Sequence, residues 1–360
     1  MTENHAELKT VGERIIVNQI QQLLVKPGWL VGGIGHDTAA LDISIADDEF
    51  LLVNTDRTGF NVAYQYGFSG PECIGDLGVT HAVSDIYAAG GQPFAITVAL
   101  LLTDNSRSDF ALAIMTGADN AARRYGSYIV GGDTKHAKKG SIIATALGSV
   151  GKKEHLTRAG AQPGDLLVTT GYVGPYLFGA ISQQKKWELP DHLTAQVREA
   201  ICVQQPPFQL AQELGASRLA SACTDISDGL LVAVSEIASK SGCGAIVEEQ
   251  FLPVPEEMTQ VALDHGLNAI HLTLSGGDWE YMYAIPPKNY DLTAEIAKRH
   301  GRNLLIVGRV ESSSGLKFHL KYGGMRELPI EGHDSFLGRM SGKSFYNEIA
   351  DGRILVDYLP

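Results

Sequence analysis

Apolar positions recur at helical spacing over residues 6–24 (Leu8, Val11, Ile15, Ile16, Ile20, Leu23 and Leu24), and Pro27 and Gly28 close the run. The pattern then shortens to strand-like segments at 39–43 and 50–55. Residues 70–91 read as a helix rich in small side chains, with Val79, Ala82, Val83 and Ile86 on one face. A strand at 94–102 and a helix at 108–125, carrying Leu112, Met115, Ala118 and Ala122, come next. Strands at 128–130 and 141–150 close this part. Such alternation predicts an α/β layer. After residues 151–155 the pattern restarts with a strand at 165–170, helices at 175–183, 195–202 and 230–240, and strands at 304–310 and 316–320. The expected division is an N-terminal domain over 1–150, a C-terminal α/β domain over 151–338 and a tail over 339–360, with no internal repeat.

Composition narrows the class. A chain of 360 residues, 44% hydrophobic and 19% charged, folds around a sizeable core. A net charge of −12, with lysines only in isolated pairs such as Lys138–Lys139, argues against a nucleic-acid partner. An acidic protein that binds a polyphosphate needs metal ions to neutralise it. No apolar run approaches the ~20 residues that span a bilayer, and the first ten residues lack a secretory apolar core, so a cytoplasmic protein is expected. Cys73, Cys202, Cys223 and Cys243 show no metal-ligand spacing and read as small buried residues in a reduced compartment.

Six short segments set an aspartate beside glycine, serine or threonine: Asp37, Asp56, Asp85, Asp133, the pair Asp225 and Asp228, and Asp278. One such aspartate is commonly only a turn residue or a helix cap. Six of them, most following an apolar segment, suit a different task. Magnesium prefers carboxylate and phosphate oxygens, and carboxylates approach a triphosphate only through bridging metal. Asp225-Ile226-Ser227-Asp228-Gly229 carries more acid than capping of the helix at Leu230 requires. His81 and Asp85 share a helical face and read as a local pair. There is no GxxxxGK[ST] loop, no dinucleotide fingerprint at Gly32–Gly35, no GxSxG elbow and no HExxH helix.

In order along the chain stand GHDTAAL at Gly35, NTD at Asn54, SDIYAAGG at Ser84, GGDT at Gly131, TRAGAQPGDLLVTTG at Thr157, DISDGLL at Asp225, SGGDWEYMYAI at Ser275 and GHDSF at Gly332. This order resembles the thiamine-monophosphate kinase family, in the superfamily of aminoimidazole ribonucleotide synthetase, over residues 12–337. The resemblance implies a two-domain α/β (α+β) fold whose N-terminal sheets pair across a homodimer into a barrel, with ATP bound near that interface. It implies Asp37, Asp56, Asp85, Asp133 and Asp228 as Mg2+ ligands, and Gly132, Asp133, Thr134, Thr55 and Arg158 around ATP. Asp225, Ser227 and Asp228 would be catalytic, while Asn61, Glu280, His333 and Phe336 would meet the acceptor. The reaction implied is in-line transfer to a small molecule, thiamine monophosphate first. A paralogue phosphorylating another acceptor, such as an amide or carboxamide oxygen, is the alternative, and a non-catalytic nucleotide-binding dimer a second. The departures are His36 in place of an acid, Asn61 in place of a histidine, Ala82 in place of an asparagine and His333 in place of an aromatic residue. The absence of a cysteine–lysine segment near the start, and of a cysteine in the closing Asp357-Tyr358-Leu359-Pro360, sets the chain apart from the selenophosphate and hydrogenase-maturation branches.

Overall fold

A computed structural model describes residues 30–31, 37–42, 48–59 and 61–327. The expected helix over 6–24, the loop at Gly32–Gly35, His36, His333, Phe336 and the tail over 339–360 lie outside the described residues.

Two mixed sheets carry the fold. The first has the order β1-β2-β3-β6-β4-β5, formed by β1 (Leu30–Val31), β2 (Ala39–Leu41), β3 (Glu49–Thr58), β4 (Gln92–Leu102), β5 (Tyr128–His136) and β6 (Ser141–Gly151). Its ladders are antiparallel except β4 with β5. Helices α1 (Val62–Gln65), α2 (Glu72–Ala88) and α3 (Ser108–Arg124) belong to this half. On β6 the even positions Ile142, Ala144, Ala146 and Val150 are buried, whereas Ile143, Thr145 and Leu147 are half-buried. That alternation marks one helix-covered face and one open face.

The second sheet has the order β13-β12-β9-β11-β7-β10-β8. Its strands are β7 (Leu166–Thr169), β8 (Ala222–Asp225), β9 (Gly244–Glu248), β10 (Tyr281–Ile285), β11 (Leu305–Glu311), β12 (Gly315–His319) and β13 (Met325–Glu327). Around it lie α4 (Pro175–Lys185), α5 (Asp191–Cys202), α6 (Phe208–Ser217), α7 (Leu230–Lys240), α8 (Glu256–Asp264), α9 (Ala269–Leu272) and α10 (Tyr290–Arg299). Both faces of strands β7, β8, β9 and β10 are buried. Leu167, Met282 and Ala284 enter a core with α4, α5 and α7, while Val168, Tyr281 and Tyr283 enter a second core with α2, α3 and α6.

Helix α2 is thus a shared wall between the sheets. It is buried almost all round, including Val79, Ala82, Val83, Ser84 and Ile86, which explains why its apolar residues do not form a single stripe. Small residues on both helices admit the close approach: a Cβ on Gly75 of α2 would lie 1.8 Å from the Ile114 carbonyl oxygen, and one on Gly117 of α3 would lie 1.9 Å from the Glu72 carbonyl oxygen. Strand β5 runs further than its apolar start suggests, through Gly131-Gly132-Asp133-Thr134 to His136, because pairing with β4 supplies the ladder that its polar residues do not advertise. Cys223 is buried and the other three cysteines are half-buried; all four are free. No helix among the described residues is long and apolar enough to cross a membrane.

Candidate active site

Three elements from distant parts of the sequence meet where α2 faces β8. Asp37 stands just before β2, Asp85 lies in the last turns of α2, and Asp225 ends the fully buried strand β8. One carboxylate oxygen from each lies within 4.8 Å of the other two. Asp37 and Asp225 are buried and Asp85 is half-buried. Burial pushes the Asp85 carboxyl well above its usual range, and the charges of Asp225, Asp56 and Asp37 push it further, against the pull of Arg158. Burial, then Asp37, raises Asp225 to about 7.

Arg158 grips Asp37 with two nitrogens, Nε to Oδ2 at 3.0 Å and Nη2 to Oδ1 at 2.9 Å, and reaches Glu236 of α7 at 3.4 Å. The Thr224 hydroxyl donates to Asp37 Oδ1 at 3.0 Å. Asp56, on β3, adds a fourth negative charge that both Asp85 and Asp225 feel. One guanidinium facing four carboxylates leaves the group short of positive charge. Beside Asp37, the buried Thr38 hydroxyl has no hydrogen-bond partner among the described residues. Hard oxygen donors, buried and mutually repelling, fit a divalent cation such as Mg2+, whose charge would offset the burial and repulsion that push Asp85 and Asp225 up.

The remaining expected residues divide into those near this group and those elsewhere. Ser227 is exposed and donates to Asp225 Oδ1 at 3.0 Å. Half-buried Asp228 follows it, and neither caps α7: the cap position is Gly229, without a side-chain bond, and Leu230 N donates to the Thr273 carbonyl at 2.8 Å. A Cβ on Gly276 would sit 2.1 Å from the Ser227 carbonyl oxygen, so the Ser275-Gly276-Gly277-Asp278 loop clamps the Ser227 backbone.

Asp133 and Thr134 lie exposed on edge strand β5 with Gly132, outside the three-carboxylate group. Asp133 Oδ1 accepts from Thr134 N at 2.9 Å and stands 3.5 Å from Lys135 Nζ. Thr55 shares a 2.9 Å hydrogen bond with Thr145 and, by strand alternation, lies on the sheet face opposite Asp56. Asn61 is buried; it caps α1 through Tyr64 N at 2.9 Å and holds the Cys73 carbonyl at 3.2 Å. Glu280 is buried between the Thr170 hydroxyl at 2.5 Å and Arg302 at 2.6 Å. Asp278 accepts from Gly174 N and Tyr176 N, both at 2.8 Å, and so serves the start of α4 rather than the carboxylate group. His81 bonds Thr58 at 2.8 Å, and its ring stands 4.6 Å from that of Trp279.

Thr224, Glu236 and Asn54 were not legible as site residues. Glu236 leaves one signal, as a lone acid within the otherwise apolar start of α7.

The chain matches the AIR synthase related protein N-terminal domain over residues 35–150 and the C-terminal domain of the same family over 162–321. A thiamine-monophosphate kinase of Pyrococcus horikoshii is 30% identical over 298 residues, covering 81% of this chain and 88% of that protein. One of Methanospirillum hungatei is 30% identical over 305 residues, covering 83% and 94%. Among solved structures, AaThiL complexed with AMPPCP and TMP superposes with a TM-score of 0.76 at 22% identity, covering 92% of this chain and 100% of that one. Tt0281 from Thermus thermophilus gives a TM-score of 0.74 at 26% identity, covering 90% and 100%. The chain belongs to the thiamine-monophosphate kinase family of AIR synthase related proteins.

Proposed function

We propose that this chain transfers the γ-phosphoryl group of ATP to thiamine monophosphate, giving thiamine diphosphate, with Mg2+ held by Asp37, Asp85 and Asp225. The observation that carries the reading is the meeting of those three carboxylates, within 4.8 Å, at the junction of two sheets. Relatives at 30% identity over most of the chain are thiamine-monophosphate kinases, and AaThiL, of the same fold, is complexed with AMPPCP and TMP.

Bound there, Mg2+ would neutralise phosphate charge and orient the phosphates for in-line displacement. Each residue then has a task. Asp37, Asp85 and Asp225 present oxygens from three separate elements, so their spacing is set by the packing of α2 between the sheets rather than by one flexible loop. Ser227 restrains Asp225 through its 3.0 Å hydrogen bond, and Thr224 restrains Asp37. Arg158, steadied by Glu236, stands ready to take a phosphate oxygen when a cation relieves it of Asp37. Asp228, half-buried beside Ser227 in the same turn, would add a carboxylate for the metal. The open face of the first sheet, with Val53, Thr97, Ile143 and Leu147 half-buried, is the surface through which two copies pair. Asp133, Thr134 and Thr55 would join the ATP site across that pairing.

One observation favours a second reading, the same transfer to a different small acceptor. Asn61 and Glu280, expected to meet thiamine monophosphate, are buried and engaged in hydrogen bonds within the chain. Incubation with ATP, Mg2+ and thiamine monophosphate, followed by mass spectrometry, separates the two. Thiamine diphosphate formed in Mg2+ and absent in EDTA supports the first; ATP binding without that product turns the search to other acceptors.

A further inference from the structure

Asn54 lies on β3 two residues before Asp56, so the two side chains point to the same face of the sheet. Its Nδ2 donates to Asp56 Oδ2 at 2.8 Å and stands 3.4 Å from the carbonyl oxygen of Ala82 on α2. One amide therefore ties a carboxylate of the strand to the backbone of the helix that carries Asp85 less than one turn further on. Ala82 is fully buried and brings only a methyl group, so at this level the polar link between strand and helix comes from the asparagine; further along β3 the Thr58–His81 hydrogen bond, 2.8 Å, joins the same two elements. Both Asp85 and Asp225 feel the charge of Asp56, yet Asp56 is not one of the three acids whose oxygens lie within 4.8 Å.

We propose that Asn54 is a positioning residue that fixes the Asp56 carboxylate against α2, holding its second oxygen toward the cation site formed by Asp37, Asp85 and Asp225. The proposal rests on the cation reading given above and deepens it. An aspartate on a strand turns about two side-chain torsions, and a carboxylate beside other carboxylates is repelled outward. A hydrogen bond to one oxygen opposes that rotation, leaves the other oxygen free to ligate, and adds no positive charge to compete with the metal. Partners of this kind, one step removed from the metal, typically alter its affinity about 10–100-fold when removed. A leucine at 54 keeps the shape of asparagine and removes the donor, while the Ala82 carbonyl keeps its place in the helix.

The test is calorimetric titration of Mn2+, an oxygen-seeking stand-in for Mg2+, into the full chain, with melting temperature in EDTA as a control for folding. Asn54→Leu is expected to weaken Mn2+ binding by about 10-fold or more. The same substitution in an Asp56→Asn background is expected to add nothing, because the carboxylate it positions is gone. Asn54→Ser, which keeps a shorter donor, is expected to fall between, and it carries the test alone if the leucine variant does not fold. Mn2+ affinity within twofold of the parent for Asn54→Leu, or an equal loss with and without Asp56, would overturn the role of Asn54. If Asp56→Asn by itself leaves Mn2+ affinity unchanged, Asp56 is no part of the cation site and the proposal fails with that reading. If Asp56→Asn weakens binding and Asn54→Leu does not, only the role of Asn54 fails.

Discussion

At the scale of single residues, two aspartates with similarly raised pKa values do opposite jobs. Asp225 and Asp278 are both pushed by burial to about 7. Asp278 is enclosed by two backbone N–H donors and holds the start of α4, whereas Asp225 faces other carboxylates. Neighbours, not burial, tell them apart, and neighbours are what a motif cannot report. The sign of the pH effect follows. A carboxyl group whose folded pKa exceeds its ordinary 3.8 binds more protons folded than unfolded, so its contribution to stability is present at low pH and is lost as pH rises toward about 7. In EDTA the melting temperature is expected to fall between about pH 4 and pH 8, and Asp225→Asn should flatten part of that fall. Because metal binds the deprotonated carboxylates, the rise in melting temperature produced by Mg2+ should be larger at pH 8 than at pH 5. An equal Mg2+ effect at both would separate the cation from these acids. Replacing Asp278 with alanine should cost about 1–3 kcal/mol of stability, measured by denaturant unfolding, without changing Mg2+ affinity.

At the scale of elements, helix α2 positions the site and imposes the tightest packing. Alanine is intrinsically the better helix former than glycine by about 1 kcal/mol. At Gly117, however, the added methyl would meet the Glu72 carbonyl oxygen at 1.9 Å and force α3 away from α2. Gly117→Ala is therefore expected to destabilise by about 1–3 kcal/mol despite its propensity, and a stabilised variant would show that the two helices part easily. In the first half β2, β3, β4, β6, α2 and α3, and later α4 and α7, were legible in hydrophobic spacing, whereas β1 and α1, of two and four residues, were not and β5 showed only its apolar start. Strands β8, β9 and β10 and helices α6, α8 and α10 were not. They are short, and β8, β9 and β10 are buried on both faces, so period two is erased. Of the site, Asp37, Asp85 and Asp225 were all singled out by composition and order. Their convergence was not, because it depends on α2 lying between two sheets. The roles of Thr224 and of Asn54, although the latter opens the NTD segment, were unreadable for the same reason, since nothing in a threonine or asparagine reports a partner 187 or 28 residues away.

At the scale of the whole molecule, the fold sets acidic groups into its interior at a cost that Arg158 alone offsets in part. The second core joins α2 and the first sheet to Val168, Tyr281 and Tyr283 of the second, so the two halves are held rigidly enough to keep like charges together. On the proposed metal role, such an arrangement trades stability for function, and the two should part company in a single variant. The measurement that tests this most directly is Asp85→Asn, followed by melting temperature in EDTA and by mass-spectrometric yield of thiamine diphosphate from ATP, Mg2+ and thiamine monophosphate. Removing one of the crowded charges should raise the metal-free melting temperature and abolish product formation together. A variant that melts lower in EDTA and still makes thiamine diphosphate at the parent rate would contradict the assignment of these carboxylates to the metal and the chemistry.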